Sequence, residues 1–258
     1  MQDLNITLIQ TPLQWEDATA NRERIGQQLA RIQRGSTDMV VLPEMFSTGF
    51  SMKPEQLAET MDGPTVKWMG EQAAALSAVV TGSLIIKDGN KYYNRLIWMR
   101  PDGSCGQYDK RHLFSYAGED KHYTAGKERL VVELKGWRVC PLVCYDLRFP
   151  VWSRNRKDYD LLLYVANWPE RRSYMWKQLL IARAIENQAY VVGLNRVGDD
   201  GNGISHSGDS AIIDPLGEVQ VSQAHQPATI TRDISAAHLL EVREKFRFLD
   251  DADGFEVV

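Results

Sequence analysis

Short runs of consecutive apolar residues constrain this chain more than any other feature. "DMVVLPE" (38–44) and "DLLLYVANW" (160–168) lack the alternation of a strand with one wet face. They are also too short for ordinary helices and are bounded by Asp, Pro and Asn. Each is expected to be a buried strand, and such strands need covering layers. Amphipathic segments supply them. Ile25, Leu29 and Ile32 recur at helical spacing, with Gly35 expected to close that helix. "GPTVKWMGEQAAALSA" begins with Pro64, where a helix tolerates proline. "SYMWKQLLIARAIENQ" and "SAAHLLEVREKF" read as two more helices.

The remaining segments read as strands. "NITLIQ" alternates, and "VVTGSLIIKDGNKYYNRLIWMRPDGSCGQYDK" divides into three strands at "DGN" and "PDGS". "LVVELKGWRVCPLVC" folds back at its Lys-Gly turn, and "AYVVGLNRV", "DSAIIDPLGEVQVS" and "ATITRDI" follow. Strands near both ends with helices between them imply an α/β fold, one domain over residues 1–258, containing a mixed sheet or a pair of sheets. No linker or short repeat divides it.

Charge narrows the function. Thirty basic and 34 acidic residues leave a net charge of −4, with no electrostatic footprint for nucleic acid. No apolar segment approaches the length of a membrane span, and the N-terminus lacks the basic start and apolar run of a signal peptide. With three cysteines, an odd number, a disulfide scaffold is not expected. The chain is therefore expected in a reducing cytoplasm.

Two of those cysteines, Cys140 and Cys144, lie in "WRVCPLVCYDLRFP". No second Cys/His pair completes a zinc site, the five histidines are scattered, and no metal or other cofactor is expected. Cys140 and Cys105 read as small core residues. Cys144 differs, because it ends an apolar strand and precedes a polar turn, where a nucleophile is held exposed and rigid. A thiol with a reference pKa of roughly 8.5 needs activation. Glu44 and Lys110, each closing another strand, are the ionisable groups placed to supply it, although each alone could be a solvated surface residue.

Together, "VVLPEMF", "YDKRHLF" and "PLVCYDLRFP" resemble the glutamate, lysine and cysteine signatures of the nitrilase superfamily of carbon–nitrogen hydrolases. The resemblance runs from "ITLIQ" to "SAIIDPLGEV". Tyr-Asp-Leu-Arg-Phe after the cysteine, in place of Trp-Glu, resembles the amidase branch and especially the ω-amidases. That resemblance implies a four-layer αββα sandwich of the nitrilase type that forms homodimers. It implies Cys144 as nucleophile, Glu44 as general acid–base and Lys110 as oxyanion stabiliser, helped by the backbone N–H of Tyr145. Glu119 best fits the family's second glutamate, although a surface-loop acid is the plain alternative. Phe46, Phe114, Tyr145 and Trp168 are candidate substrate-pocket walls, with a place in the core as the equal alternative for Phe46 and Trp168. Arg148 could pair with a substrate carboxylate or with Asp146, and Arg171 and Arg172 are further cations. Glu186, Asn187 and Gln188 of "AIENQAY" read as structural.

The implied activity is release of ammonia from a small carboxylate-bearing amide. Hydrolysis of N-carbamoyl amino acids or nitriles is the alternative within the same chemistry. A catalytically silent binding scaffold is the alternative outside it.

Overall fold

The computed structural model describes residues 1–256. Two sheets form its centre, with strands numbered in chain order. The first has six strands in the order β13 (Ala228–Ile234), β1 (Leu4–Gln10), β2 (Met39–Val41), β3 (Val79–Asp88), β4 (Lys91–Met99) and β5 (Cys105–Asp109). The second has seven. They run β10 (Val197–Asp199), β11 (Ser205–Ile213), β9 (Tyr190–Asn195), β8 (Leu161–Ala166), β7 (Trp137–Val143) and β6 (Val132–Leu134), with β12 (Val219–Ala224) also paired to β11.

Side-chain alternation along the first sheet defines the layers. Leu4, Ile6, Leu8, Met39, Val41, Leu96 and Trp98 point into a core shared with β7, β8 and β9. Their neighbours Ile9, Val40, Val80 and Ile97 point the other way, against Ile25 and Leu29 of α1 (Ala18–Leu29) and Val66, Met69 and Ala73 of α3 (Pro64–Leu76). Trp176, Leu180 and Ala184 of α5 (Ser173–Asn187) and Leu239 of α6 (Ala236–Lys245) cover the second sheet. The outcome is the αββα sandwich. Each fully buried Leu or Ile side chain contributes about 1.5–3 kcal/mol relative to exposure, so strands buried on both faces stabilise it twice over.

Local chemistry sets the boundaries. Asp17 caps α1 by accepting from the Ala20 N–H at 2.9 Å. That helix ends at Leu29, earlier than Gly35 suggested; the intervening residues form turns, and Gly35 has φ +77°. Gln188 ends α5 in the left-handed region, and Asn187 accepts from the Asn155 N–H at 2.8 Å, so "AIENQ" is structural, as expected. Two single-turn helices, α2 (Pro54–Leu57) and α4 (Pro150–Ser153), fall in segments the sequence pattern leaves as loops. Cys105 is a correction. It opens β5, an edge strand paired only to β4, and is exposed instead of core.

The topology brings particular chain ends together. β2 and β3 are parallel, and β5 runs the same way because β4 reverses direction between β3 and β5. The residues following β2 and β5 therefore emerge at one end of the first sheet. β7 and β8 are parallel in the second sheet, so their ends emerge together as well.

Candidate active site

Glu44, Lys110 and Glu119 form an interlocked cluster with fully buried side chains. The Lys110 ammonium donates to Oε1 of Glu44 at 2.9 Å and to the two oxygens of Glu119 at 3.0 and 2.9 Å. Burial works against the lysine charge, but the attraction of Glu119 and Glu44 outweighs it and raises its pKa. Glu119 is pushed up by burial more than Lys110 pulls it down. The second glutamate expected from sequence is therefore beside Lys110 and not on a surface loop. Its Oε2 also accepts from the Phe114 N–H at 2.6 Å.

Two asparagines hold this cluster, and sequence reasoning missed both. Asn94, in the middle of β4, donates to Glu44 at 2.8 Å and to Glu119 at 3.1 Å. Its carbonyl accepts from Ser83 of the neighbouring strand at 2.7 Å. The available signal was an asparagine inside "YYNRLIW", since strands are poor in asparagine. Asn167 follows β8; its N–H reaches Oε2 of Glu44 at 2.7 Å and its side chain the Glu44 carbonyl at 2.6 Å. Both oxygens of Glu44 are thus engaged.

Cys144 is the first residue of a 3₁₀ turn after β7, with φ +44°. Met45, next to Glu44, has φ +42°. Such conformations cost non-glycine residues about 1–3 kcal/mol each and persist where the surroundings enforce them. The thiol lies close enough to Glu44 for the carboxylate to act on its proton affinity. Burial pushes it well above the ordinary thiol range, the Glu44 carboxylate adds to the rise, and Lys110 opposes it. The resting sulfur therefore keeps its proton, with a carboxylate in place to take it.

A cavity of about 140 Å³ opens over this sulfur. Of the residues expected from sequence, Lys110, Phe114, Cys144, Tyr145, Arg148 and Trp168 line it. Phe46 does not, which is a second correction. After the turn at Met45 its ring is fully buried in the core under α1 and α3, 5.9 Å from that of Trp68. Phe50 takes the expected place in the wall, its ring 5.1 Å from the Lys110 ammonium.

Arg148 does not pair with Asp146. Its guanidinium lies over Trp168 at 5.0 Å and reaches Met175 Sδ at 3.2 Å. Arg172 lies over Phe114 at 5.1 Å, and Arg171 also lines the cavity. Burial, then repulsion by Arg171, lowers the Arg172 pKa. On the far wall His206 is pushed down to about 4 by burial and by Arg196, and so is neutral at pH 7. The loop after β10 that carries Asp200 and Ile204 to this wall had no sequence signal. Among the described residues, no group of three or more His, Cys, Asp and Glu is arranged to hold a metal ion.

A buried thiol, a carboxylate acting on its proton and a pinned ammonium beside them can cleave a carbon–nitrogen bond by nucleophilic attack. Comparison with known proteins agrees. Residues 5–244 match the family model for carbon–nitrogen hydrolases. The chain is 50% identical to the omega-amidase YafV of Escherichia coli (strain K12) over 258 residues, covering 100% of both. It is 34% identical to the 2-oxoglutaramate amidase of Bacillus subtilis (strain 168), over 83% of this chain and 84% of that one. Among solved structures, XC1258 from Xanthomonas campestris, a CN-hydrolase superfamily protein with an arsenic adduct in its active site, superimposes with a TM-score of 0.98. Its identity is 49%, with 100% of each chain covered.

Proposed function

The chain belongs to the carbon–nitrogen hydrolase family, and from that premise we propose that it is an ω-amidase cleaving a short amide with a carboxylate at its far end. 2-Oxoglutaramate and 2-oxosuccinamate are the substrates that fit this description. The observation that carries the substrate reading is the cavity itself. Its floor holds Cys144 and Lys110, while Arg148, Arg171 and Arg172 stand around its mouth.

The arrangement of these groups supports the following steps. The Cys144 thiol passes its proton to Glu44 as the sulfur attacks the amide carbon. Negative charge moves to the former carbonyl oxygen, where the Lys110 ammonium and the Tyr145 N–H stabilise it. Glu44 returns the proton to the nitrogen, the C–N bond breaks, and ammonia leaves a thioester on Cys144. Glu44 then takes a proton from water, which attacks the thioester and restores the thiol as the carboxylic acid departs. Glu119 keeps Lys110 oriented through both halves from behind the cavity wall. Phe114, Tyr145 and Trp168 enclose the short carbon chain. We further infer a single catalytic domain over residues 1–258 acting as a homodimer in the cytoplasm; among the described residues no helix is long and apolar enough to cross a membrane.

The test compares kcat/KM for ammonia release from 2-oxoglutaramate with that from an uncharged amide of equal length. One charge-assisted contact is worth about 1.5–3 kcal/mol, or about ten- to a hundredfold. A preference on that scale supports the carboxylate reading. Equal rates would replace it with a general aliphatic amidase.

A further inference from the structure

Lys110 and Cys144 follow strands of different sheets, and one buried carboxylate joins their two loops. Oδ2 of Asp146 accepts from the Tyr108 hydroxyl at 2.7 Å and from the Val143 N–H at 3.0 Å. Oδ1 accepts from the His112 N–H at 2.9 Å and lies 2.8 Å from His112 Nδ1. Tyr108 and His112 flank Lys110 in "YDKRH", while Val143 and Asp146 flank Cys144. The cluster is fastened from outside as well. The His112 ring stacks on Phe149 with centroids 3.8 Å apart, and Trp152 donates to the Tyr108 hydroxyl at 3.0 Å. Asp146 has no exposed surface, and none of Tyr108, His112 and Asp146 lines the cavity.

We propose that Asp146, gripped by Tyr108 and His112, is a positioning residue that sets the distance between the Cys144 sulfur and the Lys110 ammonium. Two features make this more than satisfaction of a buried charge. First, the Val143 N–H and the Asp146 carboxylate close a ring around Cys144, holding it at φ +44°. Second, the other donors come from the lysine loop, so the carboxylate cannot shift without moving one catalytic group relative to the other. The same loop continues to Phe114, whose N–H binds Glu119, so the second glutamate depends on the same anchor.

The inference rests on the assignment of Cys144 and Lys110 made above, and its test separates the two. Ammonia release, KM and thermal midpoint are measured for the full chain and for C144A, D146N, H112A, H112N and H238A. Activity retained in C144A would overturn the underlying assignment, whatever the other variants do. D146N keeps the shape but turns an amide N–H toward groups that are themselves donors. It should lower kcat roughly a hundredfold, the scale of an ångström of misplacement, with KM within about threefold. H112A should lower kcat roughly tenfold, and H112N, which restores a side-chain N–H of similar reach, should recover most of that loss. If D146N does not fold, the His112 pair decides the matter. H238A is the control. His238 Nε2 lies 3.0 Å from the buried Asp214 carboxylate, away from the cavity, so its loss should lower the thermal midpoint and leave kcat unchanged. Wild-type kcat in both His112 variants, or kcat falling equally in H112A and H238A, would reduce Asp146 to a structural residue.

Discussion

The floor of the cavity and its mouth handle charge in opposite ways. At the floor Lys110, and behind it two glutamates, are stripped of water, and each is held by several hydrogen bonds within a hydrogen-bonded frame. At the mouth, Arg148 and Arg172 lie over aromatic rings, and among the described residues no carboxylate is within salt-bridge distance of Arg148, Arg171 or Arg172. A dry, saturated cluster has few alternative arrangements, which suits chemistry requiring fixed distances. Cations stacked on rings but without a carboxylate partner stay available to an incoming anion, which suits selection among substrates. Under the proposed function, the difference would store reaction type and substrate choice in separate parts of one small cavity.

The strongest way to break that division is at the sulfur. C144A should abolish ammonia release with the thermal midpoint nearly unchanged. C140A, within β7 and with a fully buried side chain, should keep kcat and lose some stability through lost packing. Turnover in C144A, read by ammonia release, would remove the floor from the chemistry altogether. Next come E44Q and K110A, each expected to lower kcat roughly a hundredfold or more. K110A also leaves two buried carboxylates facing each other, so its thermal midpoint should fall further than that of E44Q. Near-normal kcat in either variant would contradict the proposed roles. The mouth should respond more mildly. Replacing Arg148, Arg171 or Arg172 singly by Ala should cost about tenfold in kcat/KM for a keto-acid amide and little for a neutral amide. A single arginine carrying the whole preference would identify the anchor. A kcat loss on neutral amides would show that floor and mouth are not separate.

The floor was legible in the sequence for a physical reason. Glu44, Lys110 and Cys144 each sit just beyond a strand; a short apolar run leads into Glu44 and Cys144, whereas Lys110 follows the polar edge strand β5 and is marked by the "YDKRHLF" motif. The strands were legible too, because burial on two faces leaves an unbroken apolar run. Phe46 was misread because an aromatic two residues from a catalytic carboxylate looks like a pocket wall. The positive φ at Met45, which no local pattern announces, turns it into the core and leaves the wall to Phe50. Asn94 and Asn167 were missed because their roles arise from tertiary contacts with Glu44, at sequence separations of 50 and 123. The wall carrying Asp200 and Ile204 is the loop between β10 and β11, which leads into His206 on β11, and loop geometry leaves little trace in a single sequence.

The raised proton affinity of Cys144 has a consequence for durability. Peroxides and similar oxidants attack thiolates far faster than thiols, and the first product, a sulfenic acid, would end turnover until reduced. A nucleophile that yields its proton only as it attacks a carbonyl spends the interval between substrates in its inert form. Cys144 is also only 9% exposed, whereas Cys105 lies open on the edge strand β5. Mild peroxide should therefore mark Cys105 while ammonia release continues, a sequence of events that intact-mass measurement and the assay can follow together. The order in which the two sulfurs oxidise therefore reads out how firmly the buried one holds its proton.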